Sequence, residues 1–270
     1  MPATAPPPPA DLARPCDRSA RALARWKQSR RRPWMVSDWD QTVMLHYAVD
    51  PEALQPQIPF DLDTRDGVAY VSLVAFTLRR LRLHALPEAL RVLVRPVSEH
   101  GFLNVRTYVR TGAHRDGIFF LAEWLPNQLS ITLGPPMYGL PYRYGTTEYR
   151  HDHDRGCWYG RVEPRDEDAS LRYTGTLPND ADYRPAEHAS LDAFLLERYT
   201  AFTERRGTKR SFEVWHRPWP QCRAPLKIDD ASLLETTGPW HRDARYCLAH
   251  VSPGVRDVWI GGPQRMKAAG

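Results

Sequence analysis

The sequence predicts a mainly β fold of the α+β kind: a closed or nearly closed antiparallel β-barrel in one domain, with one long helix. Three observations carry this. Short stretches with β-branched and aromatic residues recur along most of the chain, separated by polar turns. One stretch, 190–206, has its apolar residues at helical spacing instead. No internal repeat is visible, so the strands belong to one architecture and not to an array.

In chain order, residues 1–33 open on four consecutive prolines and close on Arg30-Arg31-Arg32-Pro33, and read as a disordered basic tail. Residues 18–32 have the composition of a basic helix, but with a thin apolar stripe. The body, expected to be a single domain over 34–270, starts at Trp34. Asp50 and Pro51 suit the N-cap and N1 positions of a short helix that Pro56 and Pro59 stop. Residues 67–83 read as a strand. Over 103–110 the alternation is clean: Leu103, Val105, Thr107 and Val109 face one way, Asn104, Arg106, Tyr108 and Arg110 the other. A turn over 112–117 and a returning strand over 118–124 complete a hairpin, and 142–149, 156–163 and 170–174 are further strands. In the predicted helix, Ser190 is the N-cap, Leu191, Phe194, Leu195, Arg198, Tyr199 and Phe202 form the apolar face, and Gly207 closes it. Strands return over 212–216, 224–229, 245–250 and 255–259.

Composition bounds the function. At 42% hydrophobic and 26% charged the chain is of ordinary globular type, and no apolar run approaches the roughly 18 residues of a membrane span. Without a signal-peptide pattern, Cys16, Cys157, Cys222 and Cys247 are expected to be isolated reduced thiols in a cytoplasmic protein. The net charge of +5 sits in the first 33 residues, which hold eight Lys/Arg against two Asp, so the body is close to neutral. That argues against nucleic acid on the folded domain. The 37 basic residues include four lysines only, Lys27, Lys209, Lys227 and Lys267.

Several stretches together resemble the DUF2071 (YqjF-like) family of the acetoacetate decarboxylase-like superfamily. They are Trp34 to Trp39 leading to Leu45-His46-Tyr47, the run Asn104-Val105-Arg106-Thr107-Tyr108-Val109, Gly139-Leu140-Pro141-Tyr142-Arg143, residues 191–199, and Val214-Trp215-His216-Arg217-Pro218-Trp219-Pro220. The resemblance implies a barrel-like fold around a central cone-shaped cavity. In acetoacetate decarboxylases the element matching 139–143 looks like Gly-x-Pro-Lys-Lys, whose first lysine forms a Schiff base with the ketone. Here Tyr142 and Arg143 stand at those two positions. Relatives also tend to carry a glutamate where this chain has Phe102.

A guanidinium cannot replace that amine, because it stays protonated. Among the lysines only Lys227 is placed in a strand where it could point inward. Schiff-base decarboxylation is therefore disfavoured. What remains is acid–base chemistry. Arg106 is the first anchor for a carboxylate or enolate, with Asn104 and Tyr108 on its face. Glu123, among Phe119, Phe120, Leu121 and Trp124, is expected to be a desolvated general acid–base or the ion-pair partner of Arg106. Tyr142 and Arg143 are the other catalytic candidates, Tyr142 as a donor to a developing oxyanion. Phe102, His46, Glu148, Trp215 and His216 complete the ligand-binding set, the histidines equally readable as structural donors. His151-Asp152-His153-Asp154 reads as a solvated hairpin loop and not a metal site.

The expectation is a small-molecule-binding protein without cofactor or metal, taking an anionic or carbonyl-containing ligand. Two alternatives stand beside it. One is a cofactor-independent enzyme carrying out enolisation, hydration, cyclisation or a lyase step. The other is a structural or regulatory partner acting through the basic tail. A homo-oligomer is compatible with all three.

Overall fold

A computed structural model describes residues 16–84, 97–112, 115–177 and 181–266. In chain order the elements are α1 (Arg18–Ser29), β1 (Met35–Val49), α2 (Pro51–Leu54), β2 (Asp61–Leu62), β3 (Ala69–Leu83), β4 (His100–Thr111) and β5 (Arg115–Leu125). Then come α3 (Gln128–Tyr138), β6 (Tyr142–Asp152), β7 (Cys157–Pro164), β8 (Leu171–Thr176), α4 (Leu191–Leu196) and β9 (Thr200–Arg205). The last are β10 (Thr208–Trp215), β11 (Cys222–Arg223), β12 (Lys227–Asp230), β13 (Arg245–Ile260) and β14 (Gln264–Arg265).

Seven strands close a ring in the order β5-β9-β10-β13-β1-β3-β4, with β4 pairing back to β5. From the C-terminal half of β5 the sheet continues as an arm, β6-β7-β8-β12. The ring carries a separate core on each face. One cluster takes buried residues from all seven ring strands, among them Met44, Val74, Phe102, Ile118, Ala201, Phe212 and Val258. A cluster shared by every strand of a ring lies inside it. The other cluster joins the opposite face, including Leu73, Val105 and Trp124, to Trp158, Val162 and Tyr173 of the arm. The alternation predicted for 103–110 is thus realised, with the polar set Asn104, Arg106 and Tyr108 facing the ring interior.

Two ring and arm pairings depart from the antiparallel expectation: β5 runs parallel to both β6 and β9. Each takes half of one edge of β5, β9 against Ile118 and Phe119, β6 against Glu123 to Leu125. For β6 the cause is α3, which the sequence did not signal. Asn127 caps it by accepting from Ser130 N, Gly139 ends it in the left-handed region, and a helical crossover returns the chain parallel to the strand it left.

The predicted long helix over 190–206 is two elements. The cap on Ser190 holds, its Oγ accepting from Ala193 N, but the helix stops at Leu196. Glu197 stops it: its carboxylate accepts from Trp219 N and from the Tyr199 hydroxyl. Thr200 to Arg205 then form β9, and Arg206 and Gly207, with φ of 52° and 73°, make the tight turn into β10. Positive φ at both central residues is the hairpin geometry, so Gly207 serves a β-turn and not a helix end. The two strands predicted over 245–250 and 255–259 are one, β13, which runs through Pro253 and Gly254. At Gly254 φ is 113° and a Cβ would meet Trp39 O at 2.2 Å, so only glycine lets β1 and β13 stay paired there.

The basic segment is also not a free tail from residue 16 onward; residues 1–15 lie outside the described residues. In α1, Ser19, Ala22 and Trp26 are buried, and the Ser19 hydroxyl donates to His216 O. Trp26 meets Trp259 edge-on, and its indole donates to Arg31 O. Small residues at 19 and 22 let the helix sit close, which is why a thin stripe suffices. His151 is a second correction. It closes β6 as expected of a hairpin, but it is buried, with its ring nitrogens bonded to Gln41 O at 2.6 Å and Tyr173 Oη at 2.7 Å. Among the described residues no group of His, Cys, Asp and Glu is placed to hold a metal.

Replacing Trp26 by alanine is expected to cost roughly 3 kcal/mol, as for a buried tryptophan, and to speed amide exchange along α1 (Arg18–Ser29). Unchanged denaturation and exchange would show that the helix does not depend on this contact.

Candidate functional site

The site is built by register. Val74, Asn104, Glu123 and Tyr142 form one row across β3, β4, β5 and β6. The next row toward the other end of the ring holds Ser72, Arg106 and Phe120. Between the two rows β5 has one residue too many: Val105 faces Ala122, but Arg106 faces Phe120. This bulge at Leu121 shifts the alternation, so Ile118, Phe120 and Glu123 all look into the ring. Without it, Glu123 would share the outer face with Phe119.

Inside, three polar side chains stand together with atoms that nothing in the protein satisfies: Asn104 Oδ1, Arg106 Nε and Glu123 Oε2. All three residues are buried. Arg106 Nη2 reaches Leu195 O at 3.5 Å, the limit of a hydrogen bond. Burial works against the guanidinium charge, and Tyr108 and Glu123 partly offset it. Burial likewise pushes the Glu123 carboxyl well above its ordinary range, against the pull of Arg106. Burial therefore favours the protonated form of Glu123, which stands beside a buried guanidinium. Leaving such groups without partners costs about 1–3 kcal/mol each, and folding does not require it. Clustered orphans of this kind mark a place built for something polar.

The surrounding wall is aromatic. Phe102 stacks on Phe76 with ring centroids 5.4 Å apart and meets Tyr142 edge-on at 5.6 Å. Trp39 contacts Phe76, His216 and Trp219. Tyr142 is half-buried at this wall, its phenol pushed up by burial first and by Glu123 second. His100 sits beside Phe102, and burial lowers its imidazole to about 4.

The other sequence candidates divide. His46 is fully buried and bonded through both ring nitrogens, to Ser72 and to His250. Tyr108 bonds Ser72 and donates to Leu195 O. His216 is a wall residue whose Nδ1 contacts Arg217 O, and burial lowers it to about 4. Three candidates lie outside this cluster. Arg143 turns to the opposite face of the strand, over the Trp124 ring and against Thr236 and Glu167, as alternation after Tyr142 requires. Glu148 is half-exposed and paired with Arg150 on the arm. Trp215 packs on Trp259 and donates to Ser19 O under α1. Ser72, His250 and Asp192 were not singled out from the sequence. A serine or histidine amid apolar strand residues was the available signal.

None of the described lysines reaches the ring interior. Lys27, Lys209 and Lys227 are all exposed, Lys227 being paired with Asp229 outside the ring. Lys267 lies outside the described residues. Two open clefts, of about 470 and 490 Å³, lie elsewhere. One is on the arm around Trp158 and Lys227, the other between α1 and the body around Arg18, Asp63 and Glu197.

The raised Glu123 acid has a thermodynamic consequence. Above its ordinary value near 4.5 the unfolded chain loses this proton and the folded protein keeps it, so the group makes stability fall as pH rises. Glu123→Gln removes that slope. Relative to the wild type, its denaturation midpoint is expected to climb as the pH rises above that ordinary value. A difference that stays constant as the pH rises would contradict a retained proton.

Comparison with known proteins agrees with this architecture. Among solved structures, an acetoacetate decarboxylase-like enzyme from Sphingomonas wittichii RW1 superposes with a TM-score of 0.60 at 16% identity, covering 87% of this chain and 94% of that one. The acetoacetate decarboxylase of Legionella pneumophila superposes at 0.58 with 13% identity, covering 87% of each. The enduracididine biosynthesis enzyme MppR, complexed with pyruvate, also gives 0.58, at 14% identity over 87% of this chain and 90% of that one. These likenesses establish an acetoacetate decarboxylase-like fold. In sequence, the protein YqjF of Bacillus subtilis (strain 168) is 28% identical over 212 residues, 76% of this chain and 81% of that protein. The model of the family DUF2071, an uncharacterized conserved protein, matches residues 36–256, and the chain belongs to that family.

Proposed function

We propose that the ring interior binds a small carboxylate that also bears a carbonyl group, and does so without a Schiff base. The observation that carries the reading is the cluster of unpartnered polar atoms on Asn104, Arg106 and Glu123, in an interior that no described lysine enters. Arg106 takes the carboxylate, because a guanidinium offers parallel donors in a fixed fork. Asn104 and the Glu123 acid then face the carbonyl oxygen. Phe102 supplies apolar wall where the family resemblance expects an acid, which leaves Arg106 without a carboxylate on its own strand and open to an anionic ligand. MppR has been seen with pyruvate bound, which makes pyruvate the natural first probe.

A second reading is favoured by the Glu123 proton. An acid held protonated beside a cation donates to the carbonyl oxygen, whose π pair forms the new O–H bond, as a neighbouring C–H proton passes to the Tyr108 hydroxyl oxygen and the Tyr108 proton moves to Ser72; the electron pair of that C–H bond becomes the enol double bond. On this reading the protein is a cofactor-independent enzyme of the lyase or isomerase type.

The test is thermal denaturation with and without pyruvate. Saturating ligand at about a hundred times its dissociation constant adds about 2.7 kcal/mol of apparent stability. The wild type is expected to show a corresponding rise in melting temperature, and Arg106→Met to show none. Borohydride treatment in the presence of pyruvate is expected to leave the protein mass unchanged. A wild type indifferent to pyruvate and acetoacetate, or a reduced adduct on any lysine, would overturn the reading.

A further inference from the structure

A line of exchangeable protons, hydrogen-bonded from Tyr108 to His250 and ending in a His250–Asp192 contact, runs from the interior site toward the surface. Tyr108 Oη lies 2.5 Å from Ser72 Oγ, which lies 2.6 Å from His46 Nδ1. His46 Nε2 lies 3.0 Å from His250 Nδ1, and His250 Nε2 lies 3.0 Å from Asp192 Oδ1, the ring N–H off the direct line to the carboxylate. Arg223 closes the outer end, holding Asp192 Oδ1 from Nε at 3.0 Å and Nη2 at 2.6 Å. Tyr108, Ser72, His46 and His250 are 1% exposed or less, whereas the side chains of Asp192 and Arg223 are 18% and 58% exposed. The line therefore crosses β4, β3, β1 and β13 inside the ring and emerges beneath the first turn of α4.

Structure alone does not ask for this. Two adjacent buried histidines, both on the same line, cost more to bury than the apolar pairs around them. A serine serves as the link between a phenol and an imidazole. Every member can both give and accept a proton.

We infer that Tyr108, Ser72, His46, His250 and Asp192 form a proton relay between the Arg106–Glu123 site and solvent. The inference rests on the proposed reading of that site, since it supplies the proton that acid–base work there must exchange. The line has two arrangements. In the first, the Tyr108 hydroxyl turns its proton from Leu195 O to Ser72, Ser72 donates to His46 Nδ1, His46 Nε2–H to His250 Nδ1, and His250 Nε2–H faces Asp192; both imidazoles are neutral. A proton leaving the ligand enters at Tyr108 Oη, beside Arg106. Tyr108 passes its own proton to Ser72, Ser72 to His46 Nδ1, and His46 its Nε2 proton to His250 Nδ1. Tyr108 then donates to Leu195 O, at 2.8 Å, and His250 is an imidazolium facing the Asp192 carboxylate. Release of the Nε2 proton through Asp192 to water empties the line; the reverse sequence refills the site. No bond other than O–H and N–H forms or breaks.

The groups facing the line have charges arranged for this. Arg106 and Arg198 face Tyr108. His250, Arg106 and Arg223 face His46, and burial with these neighbours keeps His46 neutral. The one anion is Asp192, beside His250, where the relayed charge comes to rest.

Histidine ¹⁵N resonances followed through acidification test the relay in the unliganded protein. As a proton is added to the line, His46 is expected to switch from the Nε2–H to the Nδ1–H tautomer. A His46 that keeps one tautomer throughout would overturn the relay. The second arm follows deuterium incorporation at the methyl group of pyruvate in heavy water. The wild type is expected to exchange, and Ser72→Ala and His250→Gln to lose at least tenfold while keeping the melting-temperature rise with pyruvate. Equal exchange in both variants, or no exchange by a wild type that binds pyruvate, also sinks it. If pyruvate raises no melting temperature, the binding reading fails by itself and the tautomer measurement alone decides the relay.

Discussion

The pairing of β4 with β5 is the constraint from which the rest follows. It closes seven strands into a ring, and it contains the one extra residue, Leu121, that divides β5 into two phases. Below the bulge β5 faces β9, above it β6. Above it, too, the inward side chain is Glu123 and not Ala122. Closure and site are thus the same event: the strand pair that removes the free sheet edges also delivers a carboxyl to the face that carries Arg106. Bulges concentrate where a side chain must be re-aimed, and here the re-aimed group is the only inward acid in its row.

Placing Arg106 and Glu123 there is expensive. Neither is satisfied within the protein, and burial works against the charge of both. The cost is carried by two cores that share one sheet. Each fully buried aliphatic or aromatic side chain contributes about 1.5–3 kcal/mol, and the interior cluster alone draws such residues from every ring strand. The outer cluster does the same between the ring and the arm. Double-sided packing of this kind supports a polar interior without disulfides; Cys16, Cys157, Cys222 and Cys247 are all free thiols. It also keeps the polar groups rigid, since their strands have no loose face on which to relax.

Strands were legible because their periodicity is local. The alternation through 103–110 separated the two faces of β4 correctly and grouped Asn104, Arg106 and Tyr108, which the ring then turns inward. The helix over 190–206 misread because Tyr199 and Phe202 satisfy helical spacing and strand burial alike, and the stop comes from Glu197 reaching Trp219, more than twenty residues on. Long-range contacts also hid the docking of α1 and the burial of His151, whose partners Gln41 and Tyr173 lie on distant strands. Of the candidate site, the resemblance and the alternation reached Arg106, Asn104 and Glu123. They could not reach Ser72, His250 or Asp192, since a lone polar residue in an apolar strand has no meaning until the strand beside it is known.

The position of Tyr142 explains why lost lysine chemistry was not simply restored next door. Consecutive residues of β6 face opposite ways, so of the two positions that carry lysines in acetoacetate decarboxylases only the first looks toward Glu123. Tyr142 fills it, held between Phe102 and Gly134, where a Cβ on Gly134 would already meet its ring at 2.2 Å. Arg143 is committed to Trp124 and Thr236 on the far side. A Schiff base stabilises negative charge on carbon by passing it to a cationic nitrogen. An interior offering a guanidinium and a retained carboxylic acid stabilises charge on oxygen instead. On the proposed reading, the chemistry is one in which a carbonyl oxygen gains a proton as a neighbouring carbon loses one, which is the traffic a proton line ending at Tyr108 would serve.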